Sequence, residues 1–221
     1  MFLTKVLPSP IFILQSRFLH IDDTKTWDAF RDGNQAAFAY IYQAYFQPLY
    51  SYGRKFSSSD ALIADTLQQL FTELWQRRRR LSSTDQIRNY LYKSFRRALL
   101  KNLAKQAKVE SSEISSFNIC LSHEAHLIRQ QNSQDQMDSL QRAISQLTKK
   151  QREVIYLKFY DGLTYAEISE VVGITPTQAY DFMYKALKAL RKNLKGTAGY
   201  NELTSTALLV FFVCNIHLLL Q

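Results

Sequence analysis

Apolar side chains recur every three to four residues through the first half of the chain, which is the spacing of one helix face. One such stripe lies between residues 63 and 74 and consists of Ile63, Leu67, Leu70, Phe71 and Leu74. The opposite side of the same predicted helix carries Asp65, Gln68, Gln69 and Thr72. Asp60 follows a run of serines and is the expected N-cap. The pattern predicts an amphipathic helix with one buried and one polar side.

A second stripe follows and is formed by Ile87, Leu91, Phe95 and Ala98. Beside it, Lys93, Arg97 and Lys101 are spaced at i, i+4 and i+8, so they form a ridge of positive charge on one helix. A charged helix face is often only a solvated face, but such faces usually mix both signs. Because acidic residues are nearly absent along this ridge, we favour contact with an anionic partner.

The C-terminal half carries three capping boxes, in which a Thr is followed three residues later by Gln or Glu. The pairs are Thr148 with Gln151, Thr164 with Glu167, and Thr175 with Gln178. Pro176 falls at a first helical position, and Gly162 and Gly173 stand where helices are expected to end. These signals predict three helices, at Lys149–Asp161, Tyr165–Val172 and Pro176–Asn193.

The last two predicted helices are joined by the short turn Gly173-Ile174-Thr175, with the small residue Ser169 where they would cross. This arrangement is typical of a helix-turn-helix, whose second helix enters the major groove of DNA. The exposed candidates for base contact on that helix are Thr177, Gln178, Asp181 and Lys185. An ordinary helical hairpin within a bundle is the structural alternative.

Composition agrees with an all-α protein, because the chain contains only 6 Gly and 4 Pro. The 221 residues suit one or two small domains. The net charge is +9, and it is concentrated: residues 77–108 hold eleven basic residues and one acidic residue. A nucleic acid is therefore the first partner to expect and an acidic membrane surface the second. With only 2 Cys there is no disulfide framework, which indicates a cytoplasmic protein.

Five segments separate by composition. Residues 1–26 are unassigned, 27–108 form a first helical domain, and 109–136 form a flexible polar linker. Residues 137–196 form the helix-turn-helix domain, and 197–221 form an apolar tail. The apolar run at 207–220 is too short to span a bilayer, which needs about 20 residues. We expect the tail to pack against this protein or a partner, with attachment to a membrane surface as the alternative.

Two motifs resemble the sigma-70 family of RNA polymerase sigma factors, and the extracytoplasmic-function type is the most similar. Residues 146–174, QLTKKQREVIYLKFYDGLTYAEISEVVGI, resemble the promoter-binding C-terminal domain of that family. Residues 65–75, DTLQQLFTELW, resemble its helix that binds the polymerase clamp, and residues 90–97, YLYKSFRR, resemble its −10 helix. Helix-turn-helix motifs alone are common, but the ordered pair of motifs is specific.

The resemblance implies roles for three groups of residues. Binding to core RNA polymerase is expected at Asp65, Gln68, Gln69 and Thr72. Contacts to the −10 promoter element are expected at Arg80, Arg88, Tyr92, Lys93, Arg96, Arg97 and Lys101. Contacts to the −35 element are expected at Thr164, Thr175, Thr177, Gln178, Asp181 and Lys185. The implied partners are core RNA polymerase, promoter DNA and an anti-sigma factor or other regulator, with no small-molecule substrate.

Other chemistry has little support. Cys120, His123 and His126 are spaced like metal ligands, but a structural zinc site needs four ligands. No catalytic constellation is recognisable, so we expect neither an enzyme nor a cofactor. Two further readings remain: a helix-turn-helix regulator that acts without joining polymerase, and a membrane-tethered signalling protein, which rests on the tail alone.

Overall fold

The computed structural model describes residues 22–110, 117–119 and 132–194. Every regular element in these ranges is helical, so the all-α fold class is confirmed for the described residues. Cys120, His123 and His126, which are spaced like metal ligands, lie outside the described residues. The apolar tail also lies outside them, as does the unassigned start apart from residues 22–26.

The described residues 22–110 of the N-terminal half form four α-helices. Helix α1 spans Asp23–Arg31 and α2 spans Gln35–Gly53. Helix α3 spans Asp60–Arg77, a 3₁₀ turn covers Arg78–Arg80, and α4 spans Ile87–Glu110. Helix α1 begins four residues before Trp27, where the first domain was predicted to start, because Asp22 caps it by accepting a hydrogen bond from the Lys25 amide.

The start of α3 differs by one residue from the prediction. Ser59, and not Asp60, is the N-cap, and its hydroxyl accepts a hydrogen bond from the Leu62 amide. Asp60 is the first helical residue and instead pairs with Arg54. Serine and aspartate both cap helices well, so the sequence alone could not show whether Ser59 or Asp60 is the N-cap. An acid in the first helical turn still interacts favourably with the helix dipole.

The predicted apolar stripes face inward. Ile63, Leu67, Phe71 and Leu74 are buried on α3, and Leu70 is half-buried. On α4, Ile87, Leu91 and Phe95 are fully buried, whereas Ala98 is half-buried and its neighbour Leu99 takes the buried position. Aromatic rings from α1 and α2 complete the core, including Trp27 and Phe30, whose ring centroids lie 5.1 Å apart. The N-terminal core therefore consists largely of rings.

Gly53 lies where the end of α2 comes close to α3 and α4. A Cβ atom at this position would lie 2.9 Å from Ile63 Cγ2 and 3.0 Å from the Phe95 ring. Such distances are shorter than van der Waals contact, so any side chain here would push α3 or α4 away. The absence of a side chain at the end of α2 allows α2, α3 and α4 to pack closely.

The described residues 132–194 of the C-terminal half also form four α-helices. Helix α5 spans Asn132–Ser145 and α6 spans Lys149–Ile155. Helix α7 spans Tyr165–Val172 and α8 spans Pro176–Leu194. All three predicted capping boxes are present, with both reciprocal hydrogen bonds formed in each. Helix α5 begins five residues before Met137, the predicted start of this domain.

The helix predicted at Lys149–Asp161 is not α-helical throughout. Its α-helical part ends at Ile155, and Tyr156–Tyr160 form a π-helical turn. The Asp161 amide accordingly donates to the carbonyl five residues before it, on Tyr156, at 3.3 Å. Gly162 follows with φ +68°, a left-handed conformation that glycine adopts without strain. A π turn gives no periodic signal in so short a segment, so the pattern could not reveal it.

The two halves pack against each other, with α4 against α7. Phe117, from the predicted linker, lies between them, with its ring centroid 4.9 Å from Phe56 and 5.8 Å from Tyr156. The Asn118 amide donates to the Lys55 carbonyl at 2.7 Å. The buried Arg152 guanidinium donates to the carbonyls of Phe117, Ser145 and Leu147 at 2.8, 3.0 and 2.8 Å. The described part of the linker thus joins the two halves.

Candidate functional site

The polar face of α3 is exposed as predicted. Asp65, Gln68, Gln69 and Thr72 are all exposed, and they share one side of the helix. Gln69 Nε2 donates to Glu73 Oε1 at 2.9 Å. On the other side Phe71 and Leu74 are buried at 3% exposure each and hold the helix in the core. The structure therefore presents a rigid polar surface that a protein partner can reach.

An aromatic side chain next to this surface was missed by the sequence analysis. The Tyr42 ring packs 4.8 Å from Phe71, measured between centroids, and Tyr42 is 40% exposed. Since Phe71 is three residues after Gln68 on α3, and residues at that spacing are surface neighbours, the exposed ring lies beside the polar face. Helix α2 is rich in aromatic residues on several sides, so no simple periodicity distinguished Tyr42 from its buried neighbours.

The predicted −10 residues fall into two sets in this conformation. Arg80, Lys93, Arg97 and Lys101 are exposed, whereas Arg88 and Arg96 are partly buried. Tyr92 belongs to neither set, because it is 1% exposed and its ring lies 5.3 Å from Tyr52. Burial and a hydrogen bond to the Asp161 carboxylate raise the pKa of Tyr92 well above its usual value. The Tyr92 ring cannot stack on a base in this conformation.

Tyr92 is expected to contact the −10 element because the motif at residues 90–97 resembles the −10 helix of the sigma-70 family. The structure shows that α4 has two buried sides, one against α2 and α3 and the other against α7. A helix buried on two sides has a broad apolar stripe. This explains why Leu91 and Tyr92 are both buried although they are adjacent in the chain.

Arg96 forms an ion pair across the two halves. Its Nε donates to Glu153 Oε1 at 2.6 Å and its Nη2 to Oε2 at 3.0 Å, the paired geometry that guanidinium and carboxylate favour. The Tyr52 hydroxyl donates to the same Oε1 at 2.6 Å. Burial alone would lower the pKa of Arg96, but the bond to Glu153 raises it. Glu153 is 3% exposed, so this pair is largely removed from water.

Two further pairs extend this contact along α4. Arg88 Nη2 lies 3.1 Å from Glu167 Oε1, and Arg88 Nη1 donates to the Asp161 carbonyl at 3.1 Å. Lys93 Nζ lies 3.5 Å from Glu170 Oε2. Burial alone would raise the pKa of Glu167, but hydrogen bonds from Thr164 and the Arg88 charge hold it below its usual value. Three of the predicted −10 cations therefore face carboxylates of the other half.

The helix-turn-helix has the predicted geometry. Helix α7 ends at Val172 and is capped by Gly173, which has φ +74° and donates its amide hydrogen to the Ser169 carbonyl at 2.9 Å. A side chain at Gly173 would meet nothing within 4 Å, so glycine is favoured by the backbone conformation and not by lack of space. Ser169 and Ala179 are buried, as expected for small residues near the crossing of α7 and α8.

The six predicted −35 residues are all exposed, but three of them also take part in helix capping. Thr164 accepts a hydrogen bond from the Glu167 amide, and Thr175 accepts one from the Gln178 amide, each at 3.2 Å. Gln178 Oε1 accepts from the Thr175 amide at 2.9 Å. Reading adenine would need both the oxygen and the nitrogen of that side-chain amide. Thr177, Asp181 and Lys185 lie on the exposed side of α8.

Two tyrosines stand on the same side of α8. Tyr180 is 57% exposed and Tyr184 is 58% exposed, and they are one helical turn apart. The Tyr165 ring, at the start of α7, lies 5.6 Å from Tyr180 in an edge-to-face arrangement. Phe182 is half-buried. The exposed face of this helix is therefore aromatic as well as polar.

Within the described ranges, no group of His, Cys, Asp and Glu side chains could hold a metal ion. No helix among the described residues is both long and apolar enough to cross a bilayer.

An ordered helix-turn-helix and a long helix rich in cations define a two-part, helical DNA-binding protein. Comparison with known families narrows this class. Sigma-70, region 4, matches residues 137–190, and Sigma-70 region 2 matches residues 41–109. Together these matches cover more than half of the chain and occur in the predicted order. The protein belongs to the sigma-70 family, whose members are non-enzymatic transcription initiation factors that bind RNA polymerase and DNA.

Two solved structures share the fold. CnrH, in its complex with the cytosolic domain of CnrY, has a TM-score of 0.55 at 17% identity, over 80% of this chain and 99% of that chain. The sigma factor RpoE from Bartonella quintana, in complex with the anti-sigma factor NepR, has a TM-score of 0.53 at 18% identity. That match covers 72% of this chain and 97% of the other. A search of curated proteins finds no sequence match.

Proposed function

We propose that this protein is a sigma factor of the extracytoplasmic-function type, which joins core RNA polymerase and directs it to promoters with −10 and −35 elements. The observation that carries the proposal is the pairing of a region 2 domain and a region 4 domain in one short chain, each with an exposed surface suited to its task. We place its action in the cytoplasm, where RNA polymerase transcribes the chromosome.

Binding to core polymerase is assigned to Asp65, Gln68, Gln69 and Thr72. These side chains are exposed on a helix whose opposite side is fixed in the core. A rigid surface loses little conformational entropy on binding, which favours its use as a docking site. Tyr42 adds an exposed ring near this face, and aromatic residues are enriched at protein interfaces.

Contacts to the −10 element are assigned to Arg80, Arg88, Lys93, Arg96, Arg97 and Lys101 on and before α4. Contacts to the −35 element are assigned to α7 and α8 through Thr164, Thr175, Thr177, Gln178, Asp181 and Lys185. Helix N-termini and cations bind phosphate, and side chains on the recognition helix read base edges. The roles of Arg88 and Arg96 require that their pairs with Glu167 and Glu153 be released.

An anti-sigma factor is the proposed regulator. RpoE of Bartonella quintana was crystallised with the anti-sigma factor NepR, and CnrH with the cytosolic domain of CnrY. By analogy, a protein of this kind would bind the present chain and keep it from polymerase. The analogy rests on fold similarity.

Run-off transcription with core polymerase on genomic promoter fragments tests the proposal. The chain should direct transcription from specific start sites only when core enzyme is present. The double change Asp65→Ala with Gln68→Ala should lower both transcription and co-purification with core at least tenfold. Gln43→Ala, which alters an exposed residue on α2, serves as the control and should leave both unchanged.

The outcome that contradicts the proposal is tight, specific operator binding by the chain alone at physiological salt, with no effect of core polymerase. That result would favour a helix-turn-helix regulator that acts by itself.

A further inference from the structure

Helix α1 contacts the segment that leads into the −10 helix. This segment, residues 81–86, joins the 3₁₀ turn to α4 and contains no helical turn. Arg80, which is assigned to the −10 element, directly precedes the segment, and Arg88, which is also assigned to it, follows two positions after its end. DNA that contacts both arginines must therefore lie close to residues 81–86.

Two side chains of α1 hold the start of this segment. The indole of the buried Trp27 donates a hydrogen bond through Nε1 to the Ser82 carbonyl at 2.9 Å. The Ser83 hydroxyl donates to Asp28 Oδ1 at 3.0 Å, and Arg31 Nη1 donates to the same oxygen at 2.9 Å. A buried ring and an oriented carboxylate thus fix two consecutive residues of a segment that forms no helix of its own.

A third side chain of α1 caps the start of α4. Asp23 Oδ2 accepts a hydrogen bond at 3.0 Å from the amide of Ile87, the first residue of α4. Such an acceptor usually belongs to the residue just before the helix, whereas this one is 64 positions away in the chain. The Trp27 ring also lies 5.1 Å from the Tyr90 ring, edge to face. Helix α1 therefore holds the segment at both of its ends.

The segment keeps polar side chains at the surface. Ser82, Asp85 and Gln86 are exposed, and each of them can form hydrogen bonds with a nucleic acid beside Arg80 and α4. A loop that is already held in its binding conformation loses less conformational entropy on binding than a free loop does. Helix α1 can therefore favour binding of the −10 element without touching the DNA itself.

We infer that α1 is a positioning element for the −10 contact, in which Asp23, Trp27 and Asp28 hold residues 82–87 in the conformation that meets the promoter. Helix α1 spans Asp23–Arg31, and the match to Sigma-70 region 2 begins only at residue 41, so that match gives α1 no role. The inference rests on the proposed function, since these residues act on the proposed −10 surface through the segment.

The test uses the full chain with Asp23→Ala and Asp28→Ala, which removes both carboxylate acceptors. The matched control, Asp22→Ala with Asp32→Ala, removes the same charge from the two ends of the same helix. Asp22 is the N-cap of α1 and Asp32 its C-cap residue, so the control also disturbs α1 if only its stability matters. A third variant, Asp23→Asn with Asp28→Asn, has the charge of the alanine variant but keeps oxygens that can accept both hydrogen bonds.

Two readouts are needed. The first is amide hydrogen exchange of the free chain, in which residues 81–87 should exchange several-fold faster in the alanine variant than in the control, with most protection restored in the asparagine variant. The second is run-off transcription with core polymerase from a promoter and from the same promoter with a scrambled −10 element. The ratio of the two transcripts should fall about tenfold in the alanine variant and stay within about twofold of wild type in the other two.

Unchanged exchange at residues 81–87 would overturn the inference, because α1 would then not hold the segment. Faster exchange with an unchanged transcript ratio would also overturn it, since the conformation of the segment would not matter for the −10 contact. An equal fall in the ratio for the control or the asparagine variant would assign the effect to helix stability or to charge, against a positioning role. If wild type itself shows no dependence on the −10 element, the proposed function fails and the inference fails with it.

Discussion

Large aromatic rings fill the core of the N-terminal half, whereas the described core of the C-terminal half is mainly aliphatic. Trp27, Phe30 and Tyr52 are fully buried in the first. Among the described residues 132–194 of the C-terminal half, only one aromatic residue, Tyr156, is buried. It lies where this half meets the first. The C-terminal helices instead depend on caps, with a reciprocal capping box at the start of α6, α7 and α8.

The two domains therefore fix their helices in different ways, one by the packing of aromatic rings and the other by helix capping. Rings have fixed shapes and few rotamers, so a cluster of them defines one packing arrangement. Aliphatic side chains tolerate exchange among themselves, so the C-terminal helices need other signals to fix where each begins. Capping supplies these signals locally, because each box involves residues only three positions apart.

The largest expected effect tests the aromatic core. Trp27→Ala should lower the free energy of unfolding by about 4 kcal/mol, since it removes a buried ring and leaves a cavity. It also removes the hydrogen bond from Trp27 Nε1 to the Ser82 carbonyl, which is 2.9 Å long. Leu157→Met, in the aliphatic core, should cost about 1 kcal/mol. Urea unfolding measures both free energies of unfolding. A smaller loss for Trp27→Ala than for Leu157→Met would show that the aromatic core does not contribute more than the aliphatic core.

A smaller effect tests the caps. Thr148→Ala removes the hydroxyl that accepts from the Gln151 amide, and it should cost about 1 kcal/mol. The same change at Thr72, which is exposed within α3 and caps nothing, should shift stability by less than about 0.5 kcal/mol. Thermal unfolding of both variants provides the measurement. Equal losses of stability for Thr148→Ala and Thr72→Ala would show that the capping box does not stabilise the C-terminal helices.

The smallest expected effect concerns pH. The pKa of Glu167 in the folded protein lies below its usual value, so its contribution to stability is present above that usual value. The contribution is lost as the pH falls through the lowered folded pKa. Wild type should therefore lose more stability on acidification than Glu167→Gln, as measured by urea unfolding at each pH from neutral down to about 3. If the free energy of unfolding fell equally with pH in the two proteins, the ionisation of Glu167 would make no contribution to stability.

Local signals in the sequence were sufficient for much of this fold. The three capping boxes, the turn at Gly173 and the buried sides of α3 and α4 depend on residues within one or two helical turns of each other. Such short-range rules can be read directly from the chain. The exposed face at Asp65, Gln68, Gln69 and Thr72 followed from the same periodicity, since it is the complement of the buried stripe.

Long-range pairing could not be predicted in this way. Arg96 and Glu153 are 57 positions apart, and Arg88 and Glu167 are 79 positions apart. Each of these residues is also consistent with a solvated or DNA-binding position on its own helix. The burial of Tyr92 has the same origin, because it depends on a second helix packing against α4. The π turn at Tyr156–Tyr160 likewise lacks a distinctive residue pattern.

The three hydrogen bonds of Arg152 show which contacts hold the linker and which hold the C-terminal half together. Two of its three carbonyl acceptors, on Ser145 and Leu147, belong to the corner between α5 and α6, and only the third, on Phe117, comes from the linker. If Phe117 moves away, the guanidinium keeps two acceptors within its own domain, and the carbonyls of that corner stay satisfied. Moving Phe117 away would therefore remove one hydrogen bond of the Arg152 guanidinium and leave the other two in place, which is a local opening and not a global unfolding.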